Sequence, residues 1–142
     1  MNKPLESQLT YRCHLINKLS DGVSKNLYAR ECGLSLSEAR LLTAVGNFSP
    51  LSVNELALRS NLTKGQASRA AQAMANKQYL VKTPSKQDAR GIELYLTDKG
   101  HTLYKKIMML VERRNDEIFA CLEPQELEQF SNMLDRVIAH IR

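Results

Sequence analysis

Three helix-start motifs follow one another between residues 35 and 66, and they constrain the fold more than any other feature. In each, a Ser or Thr precedes a Glu or Gln by three residues, so the two side chains can satisfy backbone donors reciprocally. The pairs are Ser35 with Glu38, Ser52 with Glu55, and Thr63 with Gln66. Only residues 60–62 separate the second predicted helix from the third. Two helices joined so tightly predict a helix-turn-helix.

The segment after the third helix predicts a β-hairpin. Residues 79–83 form the first predicted strand, and residues 92–96 alternate apolar and polar side chains, as a half-buried strand does. The loop between them, PSKQDARG, is polar and carries basic residues. A basic hairpin directly after a helix-turn-helix predicts the winged variant of that motif.

Long amphipathic helices flank this winged region. The first is predicted to end before Gly33, and its apolar residues recur at three- and four-residue spacing: Leu5, Leu9, Cys13, Ile16, Leu19, Val23 and Leu27. Thr97 can cap a long fifth helix that reaches to about Leu122, and Pro124 suits the first turn of a last helix. These helices carry more apolar surface than one small core can bury. We therefore predict a homodimer.

The predicted fold is mainly α with a small β-hairpin wing. We expect one domain over residues 1–142. Within it, residues of about 1–33 and 101–142 form dimerisation helices, and residues of about 35–100 form the winged helix-turn-helix.

The positive charge of the chain is concentrated in its middle. The net charge is +5, but residues 59–106 hold ten basic and three acidic residues, whereas residues 107–142 hold seven acidic and four basic ones. Such a field attracts polyanions, but charge alone hardly distinguishes a polyanion site from a solvated charged face. Together with the winged helix-turn-helix, it predicts double-stranded DNA as the partner.

Other classes find little support. No apolar run is long enough for a membrane span and the N-terminus has no signal-peptide stretch, so we expect a cytoplasmic protein. The three cysteines lack a CxxC pair, which indicates neither a disulfide framework nor a metal or other cofactor. The three histidines are scattered and no nucleophile motif or phosphate-binding glycine loop is present, so an enzyme is not predicted.

The helix that begins after Thr63 is the candidate reading helix. Its first turns carry Lys64, Gln66, Ser68 and Arg69. Arg pairs with guanine and Gln with adenine, whereas Lys and Ser suit phosphates. Gln66 can either cap the helix or read a base, and we favour capping.

The hairpin loop supplies a second set of candidates. Arg90, beside Gly91, is placed to enter a minor groove. Asp88 is expected to orient Arg90, because phosphates would repel its carboxylate. Lys86 is a candidate phosphate contact.

The spacing Asp88-x-Arg90 followed by Leu96-Thr97-x-x-Gly100 resembles the wing signature of the MarR family of winged-helix transcription regulators, and the likeness extends from about residue 5 to residue 141. The resemblance implies a homodimer joined through its first, fifth and sixth helices on a near-palindromic operator. It also implies that Arg90 is the minor-groove residue and Asp88 its supporting carboxylate. The chain departs from the family by carrying Gln78 and Lys82 where members often have Gly and Arg.

The resemblance further implies a pocket in which a small aromatic carboxylate or phenol binds and weakens DNA binding. This would make the chain a ligand-responsive repressor. The candidate pocket residues are Tyr11, Arg12, His14 and Arg40. The two arginines are the better partners for a carboxylate, because a guanidinium matches two oxygens at once.

Two alternatives stay open. One branch of the family senses peroxide through a cysteine early in its first helix, but the aligned position here is Thr10, and Cys13 falls on the apolar stripe where a buried thiol would be inert. The other alternative is a protein-interaction dimer that no longer reads DNA. The ten basic residues of the middle segment argue against it.

Overall fold

The computed structural model describes residues 2–87 and 91–142. The chain divides into two compact units, Met1–Met109 and Leu110–Arg142. After a single 3-10 turn at Leu5–Ser7, its elements are α1 Leu9–Cys32, α2 Leu36–Phe48, β1 Leu51–Ser52, α3 Val53–Arg59, α4 Lys64–Asn76, β2 Leu80–Pro84, β3 Ile92–Leu96, α5 Asp98–Ile118 and α6 Pro124–Ile141. The mainly helical winged fold predicted from the sequence is confirmed. Within the described residues, no helix is both long and apolar enough to cross a membrane.

The predicted helix caps form as the spacing requires. Both reciprocal hydrogen bonds are present at the start of α2 and at the start of α4. At α3, the Ser52 hydroxyl accepts from the Glu55 amide at 3.2 Å. A further box, in which Glu123 and Glu126 cap α6, was not predicted from the sequence. An acidic residue at the cap position gives a weaker sequence signal than Ser or Thr.

The wing is part of a three-stranded antiparallel sheet with the order β1-β3-β2. Leu80 pairs with Leu96 at one end of the hairpin, and Pro84 pairs with Ile92 at the other. β1 was not predicted, because a two-residue strand carries no readable alternation. It pairs Leu51 with Leu94 and thereby joins the helix-turn-helix to the wing.

The winged region has its own apolar core. Three of its helices and its central strand contribute fully buried side chains: Leu41, Leu42, Val45, Leu56, Met74 and Leu94. Three small residues of α4, Ala67, Ala70 and Ala71, are buried as well. Leu58 of α3 differs, since it is 80% exposed.

The segment that joins the wing to α5 explains part of the wing signature. The Thr97 hydroxyl donates to the Gln78 carbonyl at 2.7 Å and accepts from the Gly100 amide at 3.0 Å. Gly100 faces the carbonyl of Tyr79 so closely that a Cβ atom would overlap the carbonyl oxygen. Only glycine fits there without a backbone shift.

The terminal helices agree with the prediction in kind and differ at their ends. α1 begins at Leu9, because Leu5 belongs to the preceding 3-10 turn, and it ends at Gly33 with a left-handed φ of 67°. α5 ends at Ile118 and not near Leu122, whose amide instead closes a turn on the Phe119 carbonyl at 3.0 Å. The predicted α5 was therefore too long.

The apolar stripes of α1 and α6 are mostly exposed in the single chain. On α1, Leu27 is buried, whereas Leu9, Ile16 and Leu19 are exposed. In the second unit, the rings of Phe119 and Phe130 pack with centroids 5.9 Å apart. Every residue of α6 after Phe130 is exposed, including Leu134, Val137, Ile138 and Ile141.

Candidate nucleic-acid interface

The turn between α3 and α4 is fixed by short hydrogen bonds. The buried Ser60 hydroxyl donates to the Leu56 carbonyl at 2.6 Å. Asn61 adopts a left-handed φ of 57°, and the Leu62 amide then donates to the Ala57 carbonyl at 3.0 Å. These bonds set the angle at which α4 leaves α3 and so determine which face of α4 meets solvent.

α4 has two opposed faces. One face is buried against the rest of the winged region through alanines and Met74. The other face is polar, basic and exposed, and residues spaced by three or four positions line it: Lys64, Ser68, Arg69, Gln72 and Asn76. A helix with this division can lie in a major groove, because its buried face fixes its position while its polar face reaches base edges.

The first turn of α4 is already engaged in capping. Gln66 Oε1 accepts from the Thr63 amide at 3.0 Å, and the Thr63 hydroxyl accepts from the Gln66 amide at 3.1 Å. The preference for capping by Gln66 is thus confirmed in this structure. The Arg69 side chain lies over Gly65, with one guanidinium nitrogen 3.3 Å from where a Cβ atom would stand. Gly65 therefore leaves room for Arg69.

Hydrogen bonds order the two strands of the wing near its loop. The Ser85 amide donates to the Gly91 carbonyl at 2.9 Å. The Glu93 carboxylate accepts from the Ser85 hydroxyl at 3.1 Å and from the Tyr95 hydroxyl at 2.8 Å. The hydrogen bond to Glu93, together with desolvation and the carboxylate charge, raises the pKa of Tyr95 above its ordinary value. Tyr95 therefore stays a neutral donor.

Several lysines of the basic middle segment are paired within the chain. Lys77 lies 2.9 Å from the Glu38 carboxylate, and Lys99 lies over the Tyr79 ring at 4.6 Å. Burial raises the pKa of Glu38, but hydrogen bonds from Lys77 and Ser35 outweigh it, and the net pKa is lowered. Part of the positive charge is thus structural. Lys64 and Lys86 are exposed.

Both the sequence and the structure of this chain are similar to those of one protein family. Residues 33–91, which hold the helix-turn-helix and most of the wing, match the model of the MarR family. This match makes the winged region similar in sequence to the MarR family.

Solved structures of MarR-family regulators share the fold over almost the whole chain. One is a MarR-family transcriptional regulator from Silicibacter pomeroyi, 22% identical over 98% of this chain and 93% of its own, with a TM-score of 0.84. Another is a MarR/EmrR family regulator from Acinetobacter sp. ADP1, 19% identical over 98% of each chain, with a TM-score of 0.86.

A third similar structure is the PcaV regulator from Streptomyces coelicolor in complex with its natural ligand. It is 17% identical over 100% of this chain and 99% of its own, with a TM-score of 0.77. No curated protein sequence matches this chain. MarR-family regulators are DNA-binding transcription regulators, and the match over residues 33–91 is the sequence evidence that links this chain to them.

In this chain, the predicted reading-helix residues come together on the first turns of α4. Thr63, Lys64, Gln66, Ser68 and Arg69 are all exposed there. Lys86 is exposed at the end of β2. Asp88 and Arg90 lie outside the described residues. Gln72 and Asn76 were not predicted as site residues, although their spacing from Ser68 by whole helical turns was a readable signal.

The predicted ligand residues do not share a cavity within the described chain. Arg12 donates through Nε to the Glu6 carbonyl at 3.1 Å, and Arg40 forms a 2.6 Å ion pair with Asp21 in the middle of α1. Tyr11 and His14 are exposed on α1. Two cavities of about 360 and 580 Å³ in this region are lined by other residues: Lys25, Ala29, Gly33, Leu34, Ser35, Leu36, Ser37, Glu38, Gln66, Arg69, Ala70 and Ala73.

The structure describes both cysteines of α1, on which the peroxide-sensing alternative depends. Cys13 was expected to be buried, but in the single chain it is exposed with the rest of the α1 stripe. Burial is the largest cause of a raised pKa at Cys32, where the charge of Lys106 acts in the opposite direction and that of Glu31 adds to the rise. A thiol with a raised pKa is a poor nucleophile at neutral pH.

Proposed function

We propose that this protein is a homodimeric repressor that binds a near-palindromic operator and is released by a small aromatic ligand. The observation that carries the proposal is the division of α4 into a buried alanine face and an exposed face with Lys64, Ser68 and Arg69. In a two-fold dimer, two such helices enter successive major grooves. The operator then mirrors the symmetry of the protein.

Exposed apolar side chains at both ends of the chain support the dimer. α1 and α6 together expose more large apolar residues than isolated surface positions explain, and soluble monomers seldom expose extended apolar patches. We propose that residues of about 1–33 and 101–142 form the dimerisation helices of one 1–142 domain, with residues of about 35–100 as its DNA-binding region.

The proposed DNA contacts have different roles. Arg69 reads a guanine, Lys64, Ser68 and Lys86 hold phosphates, and the capped start of α4 at Thr63 and Gln66 faces the backbone. From the sequence alone, Arg90 enters the minor groove and Asp88 orients it. Base reading by Arg69 is expected to contribute about 1–3 kcal/mol of discrimination.

The ligand part of the proposal rests on the resemblance and on a complex of a similar regulator, PcaV, with its natural ligand. The proposed ligand is a small aromatic carboxylate or phenol. Arg12 and Arg40 are its proposed carboxylate partners, with Tyr11 and His14 beside them. To bind the ligand, Arg40 has to leave Asp21 or share its guanidinium with it.

The central experiment measures binding of the full chain to a randomised duplex DNA library at one fixed salt concentration. We expect selection of an inverted repeat and a steep loss of affinity as salt rises, with a log–log slope of about −0.9 per phosphate contact. Arg69→Ala is expected to weaken binding by about 1–3 kcal/mol and relax one base preference in each half-site. The matched control is Arg30→Ala, which removes an exposed arginine of α1 and leaves the preference intact. A wild-type chain that selects no sequence contradicts the proposal.

The ligand is tested separately, by screening aromatic carboxylates for stabilisation and for release of the selected DNA. A ligand present at a free concentration of one hundred times its Kd raises the free energy of unfolding by about 2.7 kcal/mol. Arg12→Ala and Arg40→Ala are expected to blunt the release and to leave DNA binding without ligand unchanged. Release that is equally strong in both variants contradicts the assignment of these arginines.

A further inference from the structure

A chain of side-chain hydrogen bonds links the wing to the exposed face of α4. Lys82 of β2 donates through Nζ to Gln72 Oε1 at 2.7 Å. Gln72 Nε2 in turn donates to Asn76 Oδ1 at 2.8 Å. All three residues are exposed, so the link is not required to satisfy buried polar groups. Its effect is to hold the Gln72 amide in one orientation.

The chemistry of lysine fixes that orientation. An ammonium group has only donors, so the amide oxygen of Gln72 must face Lys82 and its nitrogen must face Asn76. One acceptor lone pair of Oε1 and one N–H of Nε2 are left over after these two bonds. A donor and an acceptor side by side on one planar amide match the N7 acceptor and N6–H donor that adenine presents in the major groove.

The position of Gln72 on α4 suits the same conclusion. It lies one helical turn after Ser68 and two turns after Lys64, opposite the buried face of Ala71 and Met74. Any orientation of α4 that brings Ser68 and Arg69 to DNA therefore carries Gln72 along the same side. An amide already held in its binding orientation loses less side-chain entropy when it pairs with a base.

We propose that Gln72 reads an adenine in each half-site and that Lys82 is a positioning residue, which sets the Gln72 amide from the wing. This inference rests on the proposed function, because it requires that α4 enter a major groove. It also assigns a role to the lysine that stands where MarR-family members often carry an arginine.

The test compares variants of the full chain on the randomised duplex library at one salt concentration. Gln72→Ala is expected to lower the preference for A·T about tenfold at one position of each half-site and to leave the other positions unchanged. Lys82→Met is expected to lower the preference for A·T at that same position. Lys82→Arg is expected to keep the preference, because Arg can still donate to the Gln72 amide oxygen. Adding Lys82→Met to Gln72→Ala is expected to cause no further loss of preference.

Salt dependence separates positioning from simple phosphate binding. If Lys82 only neutralises a phosphate, Lys82→Met weakens all sequences alike, reduces the log–log slope by about 0.9 per contact and leaves the preference profile unchanged. That result overturns the positioning role. Lys105→Met is the matched control, since it removes an exposed lysine of α5.

The failures of the two proposals differ. A wild-type chain that selects no sequence contradicts the proposed function. A wild-type chain that selects an operator, with Gln72→Ala selecting the same operator at every position, overturns this inference alone. Gln72→Ala is expected to stay folded, because Ala has the higher helix propensity and Gln72 is exposed.

Discussion

The winged region and the helices α1 and α6 differ in how far their large apolar side chains are buried. Between α2 and β3, the large apolar side chains meet each other and are fully buried at Leu42, Leu56 and Leu94. On α1 and α6, side chains of the same size are exposed, and Ile141 reaches 75% exposure. The burial of a leucine-sized side chain stabilises a fold by about 1.5–3 kcal/mol. The winged region gains this within one chain, whereas α1 and α6 would gain it only in the dimer that we propose.

The difference teaches that one sequence pattern has two meanings. A three- and four-residue apolar repeat predicts a buried helix face in both regions. α2 and α4 bury that face within the chain, whereas most of the apolar stripe on α1 and on α6 is exposed. Stability changes in the winged region should therefore be independent of protein concentration. Changes on α6 should act through association.

The largest expected effect is the substitution Gly100→Ala in the winged region. The added Cβ meets the Tyr79 carbonyl, so the backbone must shift, and we expect the free energy of unfolding to fall by about 3 kcal/mol. Gly22→Ala is the control on α1, where a Cβ has open space and the better helix propensity adds up to about 1 kcal/mol. Urea unfolding of both variants measures the difference. Equal stability of the two would contradict the close packing at Gly100.

The next effect tests the apolar face of α6. Ile138→Glu places a charge on the stripe that we propose to be buried in the dimer, and we expect association to weaken by about 2 kcal/mol or more. Asn132→Glu adds the same charge to an exposed polar position of the helix and is expected to leave association nearly unchanged. Analytical ultracentrifugation over a range of concentrations distinguishes them. A wild-type protein that stays monomeric at every concentration would refute the dimer.

A smaller effect depends on pH and concerns the pair of Glu38 and Lys77, which joins the start of α2 to the end of α4. The pKa of Glu38 in the folded chain lies below its ordinary value. The ionised carboxylate therefore contributes to the free energy of unfolding at any pH above the ordinary pKa, and this contribution is lost as pH falls through the folded pKa. Glu38→Gln is expected to reduce stability by about 1 kcal/mol at pH 7 and by less at pH 3. Chemical unfolding at both pH values, with Glu128→Gln on α6 as control, measures this. A deficit that does not change with pH would contradict the assignment.

The smallest expected effect is a gain at the turn between α4 and β2. Gln78 adopts a φ of 65°, in the left-handed region that favours glycine. Gln78→Gly relieves this backbone cost of about 1–2 kcal/mol but adds freedom to the unfolded chain, so we expect a net gain of about 0.5 kcal/mol. A rise in thermal midpoint that does not vary with protein concentration supports the self-contained character of the winged region. A fall would contradict it.

Much of the fold could be predicted because its signals are local. The caps at Ser35 and Thr63 depend on residues only three positions apart, and the wing strand 92–96 was located from its alternation. The reading-helix residues followed from the same cap. β1 and the end of α5 could not be located, because pairing with β3 and the stop after Ile118 depend on tertiary context more than on sequence spacing.

The side-chain pairs of the site lay beyond sequence reasoning for a similar reason. Lys82 and Gln72 are on different elements, and only the packing of β2 beside α4 brings them to 2.7 Å. The pairing of Arg40 with Asp21 likewise joins residues far apart in the chain. Spacing rules identify which residue types a helix exposes, but they do not say which neighbour each exposed side chain meets.

The contacts of Thr97 and Gly100 show what the sequence signature Leu-Thr-x-x-Gly indicates about a chain that carries it. The hydroxyl of its threonine forms hydrogen bonds with the Gln78 carbonyl and the Gly100 amide. Its glycine packs closely against the Tyr79 carbonyl. The contacts that these two residues make are therefore contacts within the backbone architecture. A descendant of this chain that lost every base-reading side chain would keep this part of the signature as long as it kept the fold. In a new sequence, the signature therefore indicates the fold. The residues on the exposed face of α4 are the ones that indicate whether the protein binds specific DNA.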